Sequence, residues 1–378
     1  RRDLIAKVEE LKAERNKHSK TKPDPKIIAQ MKKLGEEIKD LEDKLNLVES
    51  NFNEKLAELP NIPADDVVAG NKENNQVIYT FGKKPEFNFT PKDHVELATT
   101  LGLIDYERAV KMSGSGFWAY TGDGALLEWA LLNYFIEFHR KNNYTFVIPP
   151  YLLTEQSAFT SGHLPKFRDD LYWNQDNLCL NATSEMMMGN FHRDEILDEK
   201  KLPLKYFSYS ACFRREAGSY RAEERGMVRG HQFNKIEMFQ FTKPEDSWIA
   251  FEEMKRNAEK LVEGLGLHFQ TSLLAAGDSS AAMAKTVDIE IWIPSMNVYK
   301  EVSSASNALD YQARRGSIRF KNPETGKNEF VHTLNASGLA TSRLIPAILE
   351  QNQQADGSVI VPEVLQAFVG KKVLSINE

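Results

Sequence analysis

The chain has 378 residues, a formal net charge of −6 and a hydrophobic fraction of 41%. This length allows two domains, or one large domain with an appendage. The negative charge argues against a generally basic nucleic-acid binder, although it leaves room for a local basic patch. No apolar run reaches the roughly eighteen residues of a membrane helix, and none resembles a signal peptide.

The two cysteines, Cys179 and Cys212, have no metal-ligand spacing and form no disulfide framework. We expect two buried thiols in a reducing compartment, and therefore a cytoplasmic protein.

Two stretches with coiled-coil spacing open the chain. The second has apolar residues at alternating spacings of four and three, which predicts a long helix. These residues are Ile27, Met31, Leu34, Ile38, Leu41, Leu45, Val48 and Phe52. Leu4, Val8 and Leu11 carry the same pattern over a shorter stretch. The segment KHSKTKPDPK between them, with Pro23 and Pro25, predicts a turn and hence an antiparallel helical hairpin.

The two predicted helices differ in length, and the second is much the longer. An antiparallel pair needs helices of equal length to cover its apolar seam. No initiator methionine begins the chain. We therefore expect the first helix to lack its beginning in this sequence.

Charge is polarised along the predicted arm. Residues 12–33 hold eight lysines and arginines against Glu14 and Asp24, and the following GEEIKDLEDKLNLVES is acidic. A solvated coiled-coil surface or a grip on a phosphate backbone would both explain a basic tip. The segment LPNIPADDVVAG is typical of a linker, so we predict an arm at 1–62 and a larger domain at 63–378.

The larger domain alternates helices with strands that hairpins connect. GDGALLEWALLNYFIEFHRKNN predicts a helix that leads into the short strand of YTFVIPPYLL. KYFSYSACFRREAG and HQFNKIEMFQFT predict two strands around a charged loop, and TVDIEIWIPSMNVYKEVSSASN predicts two more. TLNASGLATSRLIPAILEQN predicts a strand or turn before a helix. This order favours an α+β domain with a mostly antiparallel sheet, and the sequence has no P-loop or dinucleotide fingerprint.

The charged loop brings together residues that a solvated hairpin does not need. Period two places Arg214 and Glu216 on one face of the first strand. The same rule places Arg229, Phe233 and Glu237 on one face of the second. Two arginines, two carboxylates and an aromatic ring on one sheet face predict a site for an anionic, aromatic, amine-bearing ligand.

These residues carry a resemblance to the class II aminoacyl-tRNA synthetases, and within them to the seryl-tRNA synthetases. FRREAG…RGMVRGHQFNKIEM resembles motif 2, TLNASGLATSRLIPAILEQNQQADGSVIVPEVLQAF resembles motif 3, and NNYTFVIPPYLL resembles motif 1. SGHLPKFRDDLY and YKEVSSASNALDYQARR are similar to further stretches of the seryl family. The resemblance extends over nearly the whole chain, including the coiled-coil arm.

For ATP, the resemblance implies that Arg214 holds the α-phosphate and Glu216 receives the adenine amino group. Phe233 and Arg343 would stack on the two sides of adenine, and Glu301 would coordinate Mg²⁺. The implied ATP-binding set is Arg214, Arg215, Glu216, Phe233, Glu301, Val302, Ser303, Ser304 and Arg343. The implied catalytic residues are Arg214, Arg229, Glu301 and Arg343.

For serine, the resemblance implies that Thr183 and Glu185 face the amino group and that Arg229 pairs with the carboxylate. Glu237, with Asn335 and Ser337, would recognise the hydroxyl group. The implied serine-binding set is Thr183, Ser184, Glu185, Arg229, Glu237, Asn335 and Ser337.

The implied activity is the formation of seryl-adenylate from L-serine and ATP, followed by transfer of the seryl group to the 3′ end of tRNA(Ser). The same family charges tRNA(Sec) where that pathway exists. The attacking carboxylate is already ionised at pH 7, so arginines and a metal suit this reaction better than a general base. The resemblance also implies a homodimer through residues 126–150 and a tRNA-binding arm.

The sequence departs from the family in three places. The family's PTAE is replaced by NATSE, Gly116 stands where an arginine is common, and Asn143 stands where glycine is usual. None of these removes a residue with an implied role. The histidines His163, His192, His231 and His332 are scattered, and we expect surface or core roles for them. We expect the Met186–Met188 run to pack in the core or at an interface rather than to bind a soft metal.

Two other functions remain open from the sequence. A ligase acting on a carrier protein would share the catalytic domain, but such ligases have no coiled-coil arm. An inactive paralogue kept for RNA binding or structure should have lost site residues, and the implied ones are all present.

Overall fold

The computed structural model describes residues 1–18, 24–217 and 226–376. The chain divides into two compact units, Arg1–Leu59 and Pro60–Glu378. The boundary predicted after Ile62 lies slightly later in the chain than this division. The roles given to the two segments stay predictions. No helix in the described part of the chain combines the length and apolar character that crossing a bilayer requires.

Helices and strands alternate along the described residues. In chain order, the α-helices are α1 (Arg2–His18), α2 (Pro25–Glu58), α3 (His94–Thr100), α4 (Tyr106–Ser113), α5 (Asp123–Lys141), α6 (Glu155–Thr160), α7 (Glu185–Met188), α8 (Ser247–Gly264), α9 (Tyr311–Arg315), α10 (Thr341–Gln351) and α11 (Glu363–Val369). The strands are β1 (Gln76–Phe81), β2 (Ile104–Asp105), β3 (Ala119–Tyr120), β4 (Thr145–Val147), β5 (Leu152–Thr154), β6 (Leu178–Leu180), β7 (Ile196–Leu197), β8 (Leu204–Phe213), β9 (Gln232–Thr242), β10 (Phe269–Leu273), β11 (Lys285–Ile293), β12 (Val298–Leu309), β13 (Arg319–Lys321), β14 (Asn328–Phe330), β15 (His332–Ala340), β16 (Val359–Ile360) and β17 (Val373–Leu374).

The first unit consists of α1 and α2, which have 17 and 34 residues. Arg1 pairs with Glu49 at 3.0 Å and Lys12 pairs with Glu42 at 2.6 Å, so the two helices run antiparallel as predicted. The buried seam residues are Val8, Leu34 and Ile38. The predicted turn falls largely on residues 19–23, which lie outside the described residues.

An eight-stranded sheet organises the second unit, in the order β1-β10-β11-β12-β15-β9-β8-β4. Every neighbouring pair is antiparallel except β4 and β8, which confirms the predicted α+β domain with a mostly antiparallel sheet. Ile236 and Met238 of β9 join the apolar core that also contains residues of α5, α8 and α10. Because side chains alternate along a strand, Lys235 and Glu237 lie on the opposite face of the sheet.

The charged connection between β8 and β9 differs from its prediction. Arg214, Glu216 and Arg229 were placed on the strands, but β8 ends just before Arg214 and β9 begins after Arg229. Glu216 has a φ of 52°, a left-handed conformation that an extended strand cannot contain. The backbone N–H of Arg214 still donates to the His231 carbonyl at 2.9 Å. Residues 218–225 of this motif lie outside the described residues.

Two departures from the family pattern have a backbone explanation. Asn143 follows α5 with a φ of 62°, and asparagine tolerates this conformation better than most residues other than glycine. Gly116 has a φ of 81°, and an added Cβ would lie 2.5 Å from Cδ2 of His231. An arginine at position 116 would therefore require His231 to move.

Helix α5 is fixed to both strand β9 and helix α10 by one buried carboxylate. Glu128 Oε1 accepts hydrogen bonds from Asn234 Nδ2 and from Thr341 Oγ1, each at 2.7 Å. His139, also on α5, forms a 2.8 Å hydrogen bond with the Gly338 carbonyl. Burial raises the pKa of Glu128 to about 7, although its hydrogen bonds partly offset that rise.

We predict that Glu128→Gln stabilises the protein relative to wild type at pH 8 more than at pH 5. The pKa of Glu128 rises from 4.5 to about 7 on folding. The stability that this proton contributes is therefore present below pH 4.5 and lost as the pH rises through 7. The loss is roughly 3 kcal/mol, and glutamine does not incur it.

The measurement is the Tm of both proteins by scanning calorimetry between pH 5 and pH 8. Glu137→Gln is the matched control, since Glu137 is a carboxylate on the same helix whose side chain is 47% exposed. A Tm difference between Glu128→Gln and wild type that stays constant with pH would contradict the assignment of this buried proton.

Candidate functional site

A polar pocket of about 280 Å³ lies on the sheet face opposite the apolar core. We call it the first pocket. Its charged lining residues are Glu185, Glu237, Asp278, Asp288, Glu301, Arg214 and Lys235. The lining also includes Thr183, Ser304, Asn335 and Ser337, so residues from separate sequence motifs meet here.

Two further pockets adjoin the first. The second pocket is lined by Glu216, Val228, Arg229, Gly230, Phe233, Val302, Ala340, Ser342 and Arg343, and it shares Arg214, Lys235, Glu301 and Ser337 with the first. The third pocket, of about 350 Å³, is lined by His163, Phe167, Asp170, Leu171, Ala182, Arg214, Glu216, Ala217, Arg229 and Ser280. Arg214 is common to all three.

Glu237 is the most connected carboxylate of the first pocket. It is 1% exposed, and its Oε1 accepts a hydrogen bond from Asn335 Nδ2 at 3.1 Å. Its Oε2 forms an ion pair with Lys235. Ser337 lies directly opposite Glu237 in the pairing of β15 with β9, so both side chains face the pocket.

Glu185 brings a second buried carboxylate to the same pocket. Its Oε1 accepts a hydrogen bond from Gln312 Nε2 at 2.8 Å. Burial, and then the neighbouring charge of Glu237, raise the pKa of Glu185 to about 7, while Lys235 opposes the rise. An arriving ammonium group would favour the ionised form of this carboxylate.

A β-bulge in β12 turns Glu301 toward the pockets. Ser303 pairs with Ile289, but the next pair along the strands joins Glu301 to Glu290, so Val302 is the extra residue. Simple alternation would place Glu301 and Ser304 on opposite faces of the strand. Both line the first pocket because the bulge reverses the alternation between them.

Two arginines from separate segments of the chain act on this carboxylate. Arg343, near the start of α10, donates to the Glu301 carbonyl at 2.6 Å and to Glu301 Oε2 at 3.1 Å. Burial alone would raise the pKa of Glu301, but Arg343 and Arg214 outweigh it and hold that pKa below its ordinary value. The Arg214 guanidinium also lies 5.1 Å from the centre of the Phe233 ring.

Arg229 and Glu216 form an ion pair at 2.5 Å. Both line the second and third pockets, and neither lines the first. Arg229 therefore stands apart from Thr183, Glu185 and Glu237, with which the resemblance grouped it. Arg214 is the arginine that reaches the first pocket.

Three residues of the implied sets do not line any of these pockets. The Ser184 hydroxyl lies 2.7 Å from the Ser210 hydroxyl, and Ser303 donates to the Ser337 carbonyl at 2.6 Å. The exposed Arg215 donates to the Asp169 carbonyl at 3.1 Å. Their implied contacts with ligands stay predictions.

Sequence reasoning missed several residues of the first pocket, among them Lys235, Asp288 and His163. Lys235 lies between Phe233 and Glu237 on the same face of β9, so period two could have identified it. Asp288 lies in the alternating segment TVDIEIW, opposite Ser304, and its Oδ1 has no hydrogen-bond partner among the described residues. Burial and the charge of Glu301 raise the pKa of Asp288.

His163 was also missed, since we expected a surface or core role for it. It lines the first and third pockets, and its Nδ1 lies 3.0 Å from the Ser161 hydroxyl. Burial and the charges of Arg214 and Lys235 lower the pKa of His163 to about 3, so the imidazole is neutral. By contrast, Met186–Met188 are buried as predicted.

The adjoining pockets suit two chemically different ligand groups that lie side by side. Buried carboxylates beside a threonine hydroxyl and an asparagine amide can receive ammonium and hydroxyl groups. The phenyl ring of Phe233 beside Arg214 and Arg343 can receive a planar ring and a phosphate. Arg214 and Lys235 stand where the two parts meet.

Family models match both units of the chain. A model described as the seryl-tRNA synthetase N-terminal domain matches residues 1–63. A model of the class II tRNA synthetase core domain for glycine, histidine, proline, serine and threonine matches residues 166–352.

Similar proteins and structures extend over nearly the whole chain. Serine–tRNA ligase 2 of Clostridium acetobutylicum is 56% identical, over 99% of this chain and 92% of that protein. The serine–tRNA ligase of Thermodesulfovibrio yellowstonii is 45% identical, over 98% of this chain and 91% of that protein. The crystal structure of seryl-tRNA synthetase from Pyrococcus horikoshii complexed with ATP is 34% identical, with a TM-score of 0.92, over 100% of this chain and 91% of that one. The chain therefore belongs to the seryl-tRNA synthetase family of the class II aminoacyl-tRNA synthetases.

Proposed function

We propose that the chain activates L-serine with ATP to form seryl-adenylate and transfers the seryl group to the 3′ end of tRNA(Ser), and of tRNA(Sec) where that pathway exists. The observation that carries this proposal is the first pocket, where Glu237, Asn335 and Thr183 converge in a chain of the seryl-tRNA synthetase family. Buried polar partners of this kind recognise a hydroxyl group. They reject alanine, which would leave them unpaired.

The nucleotide occupies the second pocket in this proposal. Related seryl-tRNA synthetases have been solved with ATP or AMP, which supports the same ligand here. Phe233 and Arg343 stack on the two sides of adenine, and Glu216 accepts a hydrogen bond from the adenine amino group. Arg214 lies at the junction of the pockets and holds the α-phosphate.

The chemical step needs no general base. A serine carboxylate oxygen attacks the α-phosphorus, the bond to the β-phosphate oxygen breaks, and pyrophosphate leaves with the electron pair. The side chains hold the two reactants in line and offset the negative charge that develops on the phosphoryl oxygens. Arg214 and Arg343 provide the compensating positive charge, and guanidinium forks bind phosphate through paired hydrogen bonds.

The residues near Glu301 fit a magnesium ion. Mg²⁺ prefers oxygen ligands and is commonly held by one or two carboxylates together with substrate phosphates. Glu301 and Ser304 offer such oxygens, and Asp288 Oδ1 is a buried oxygen without a partner among the described residues. When bound there, the ion would neutralise phosphate charge.

We predict that Glu237→Gln lowers kcat/KM for serine by at least roughly 100-fold, because losing a buried charged hydrogen-bond partner costs about 3 kcal/mol. The dissociation constant of ATP should change less than about twofold, since Glu237 does not line the second pocket. Serine-dependent ATP–pyrophosphate exchange measures the first quantity, and equilibrium dialysis measures the second.

Glu290→Gln is the matched control, because Glu290 is a hydrogen-bonded carboxylate of β11 outside the three pockets. Wild-type kcat/KM for serine in the Glu237→Gln variant would remove Glu237 from serine recognition. Absence of serine-dependent exchange in the wild-type protein would refute the proposed function itself.

We infer that the protein is a homodimer through the region around residues 126–150. Leu126 and Trp129 on α5 and Ile148 after β4 are 47%, 56% and 68% exposed. Large apolar side chains exposed in one region of a protein are typical of interaction surfaces. A two-fold axis would place this surface against its own copy.

We predict that Trp129→Asp converts the dimer to a monomer, because a buried unpaired charge at the interface opposes association. Light scattering at micromolar concentration measures the mass. Ile249→Asp is the control, since Ile249 is 73% exposed on α8, outside this region. A wild-type protein that is already monomeric and fully active would contradict the proposal.

We infer that the arm holds the tRNA. The described lysines near its tip, Lys17, Lys26, Lys32 and Lys33, are exposed. Lysines exposed on a helical arm can contact a phosphate backbone without reading bases. The central part of the predicted tip, residues 19–23, lies outside the described residues.

We predict that exchanging these four lysines for glutamine weakens tRNA charging at least roughly tenfold and lowers its salt dependence by up to about three units in log–log slope. Adenylate formation should be unchanged, because no site residue lies on the arm. The control exchanges Lys39, Lys44 and Lys55, which are exposed farther from the tip. Equal losses in charging and exchange would instead indicate a folding defect, and unchanged charging would exclude the tip from tRNA binding.

No observation favours the alternative functions. An inactive paralogue should lack site residues, but Arg214, Glu237, Glu301 and Arg343 are present and meet in adjoining pockets. The arm argues against a carrier-protein ligase. We propose the cytoplasm as the site of this reaction, consistent with the free, buried thiols of the described residues.

A further inference from the structure

Lys235 occupies the boundary between the first and second pockets. Its side chain is 7% exposed, and the residue lines both pockets. No other lysine lines the three pockets within the described residues. A fully buried lysine is uncommon unless it is paired or serves a function.

In the structure, the Lys235 ammonium contacts the groups proposed to bind serine. Nζ forms an ion pair with Glu237 and donates a hydrogen bond to Thr183 Oγ1 at 2.6 Å. Thr183 and Glu237 are the partners proposed for the serine amino and hydroxyl groups. Lys235 therefore occupies hydrogen-bonding positions that an incoming serine needs.

An arriving serine would disturb this arrangement. Its ammonium group would approach Thr183 and Glu185, and two ammonium groups a few ångströms apart in a buried site repel each other. The lysine side chain has a flexible four-carbon stem, so its ammonium can turn without movement of the strand. The second pocket, which Lys235 also lines, contains Arg214, Glu301 and the proposed phosphate site.

We propose that Lys235 is a catalytic cation of adenylate formation, which Glu237 and Thr183 hold in the empty site and which turns toward the serine carboxylate and the α-phosphate when serine binds. This inference rests on the proposed function. Lys235 keeps its three protons throughout the step. The carboxylate oxygen forms the new bond to phosphorus and pyrophosphate leaves, while the ammonium contributes charge and hydrogen bonds only.

This role separates two effects that a purely structural lysine would combine. Removing the ammonium frees Glu237 and Thr183 for serine, so serine binding should not weaken. Removing it also takes one hydrogen-bonding cation from the reacting atoms, and a single lost donor of this kind typically lowers kcat by 100-fold or more. The expected signature is a loss in kcat without a rise in the KM for serine.

The test is serine-dependent ATP–pyrophosphate exchange by Lys235→Met, which keeps the volume and removes the charge. We expect kcat to fall about 100-fold, the serine KM to stay within about threefold or fall, and the ATP dissociation constant to stay unchanged. Lys235→Gln, with a neutral donor, should show the same division. Lys205→Met is the matched control, because Lys205 is a partly buried, carboxylate-paired lysine on the neighbouring β8 and lines none of the three pockets.

A second measurement adds propylamine to Lys235→Ala, where recovery of kcat at constant serine KM would support a direct cationic role. A raised serine KM with unchanged kcat in Lys235→Met would show that Lys235 only holds Glu237, and would overturn the proposal. Failure of both the Met and Gln variants to fold would assign the ammonium to stability and overturn it as well. Wild-type exchange distinguishes these results from failure of the proposed function, which would abolish serine dependence in every protein tested.

Discussion

The register of the antiparallel sheet is the constraint on which the site depends. Glu237 faces the pocket beside Ser337 because β9 and β15 pair at those residues, and Asn335 faces Ser306 by the same rule on the other side. A slip of one residue would turn each of these side chains to the apolar face. The bulge at Val302 is the exception that adds Glu301 to the same set.

Burying so many charges requires that they be paired. Glu185 and Glu237 lie near one ammonium, that of Lys235, so these three groups carry one excess negative charge when both carboxylates are ionised, and one ligand ammonium can offset it. Glu301 is balanced instead by Arg343 and Arg214, on the side where phosphates are proposed to bind. The carboxylates at one end of the site thus suit a ligand ammonium group, and the arginines at the other end suit phosphates. This charge pattern favours one orientation of the bound reactants.

The sequence predicted the type of fold, because antiparallel strands and helices leave clear periodic patterns. Period two also selected Phe233 and Glu237, whereas most of the other candidate site residues came only from the resemblance to the family. Lys235 was also within reach of the period-two rule that identified Glu237. The period-two rule could not predict the shared face of Glu301 and Ser304, because a bulge depends on pairing with another strand. It also could not predict that Arg214 and Glu216 lie beyond β8, since no glycine marks the left-handed backbone at Glu216.

Helix α5 links the proposed interface to the site. Glu128, between two apolar neighbours, points inward to Asn234 and Thr341, while the adjacent Trp129 is exposed on the outer face. Asn234 directly precedes Lys235, and Thr341 begins the helix that carries Arg343. Helix α5 therefore holds β9 and α10 together, because the buried hydrogen bonds of Glu128 have no solvent to replace them. In the proposed dimer, α5 would contact the partner with its outer face and would hold β9 and α10 through the hydrogen bonds on its inner face.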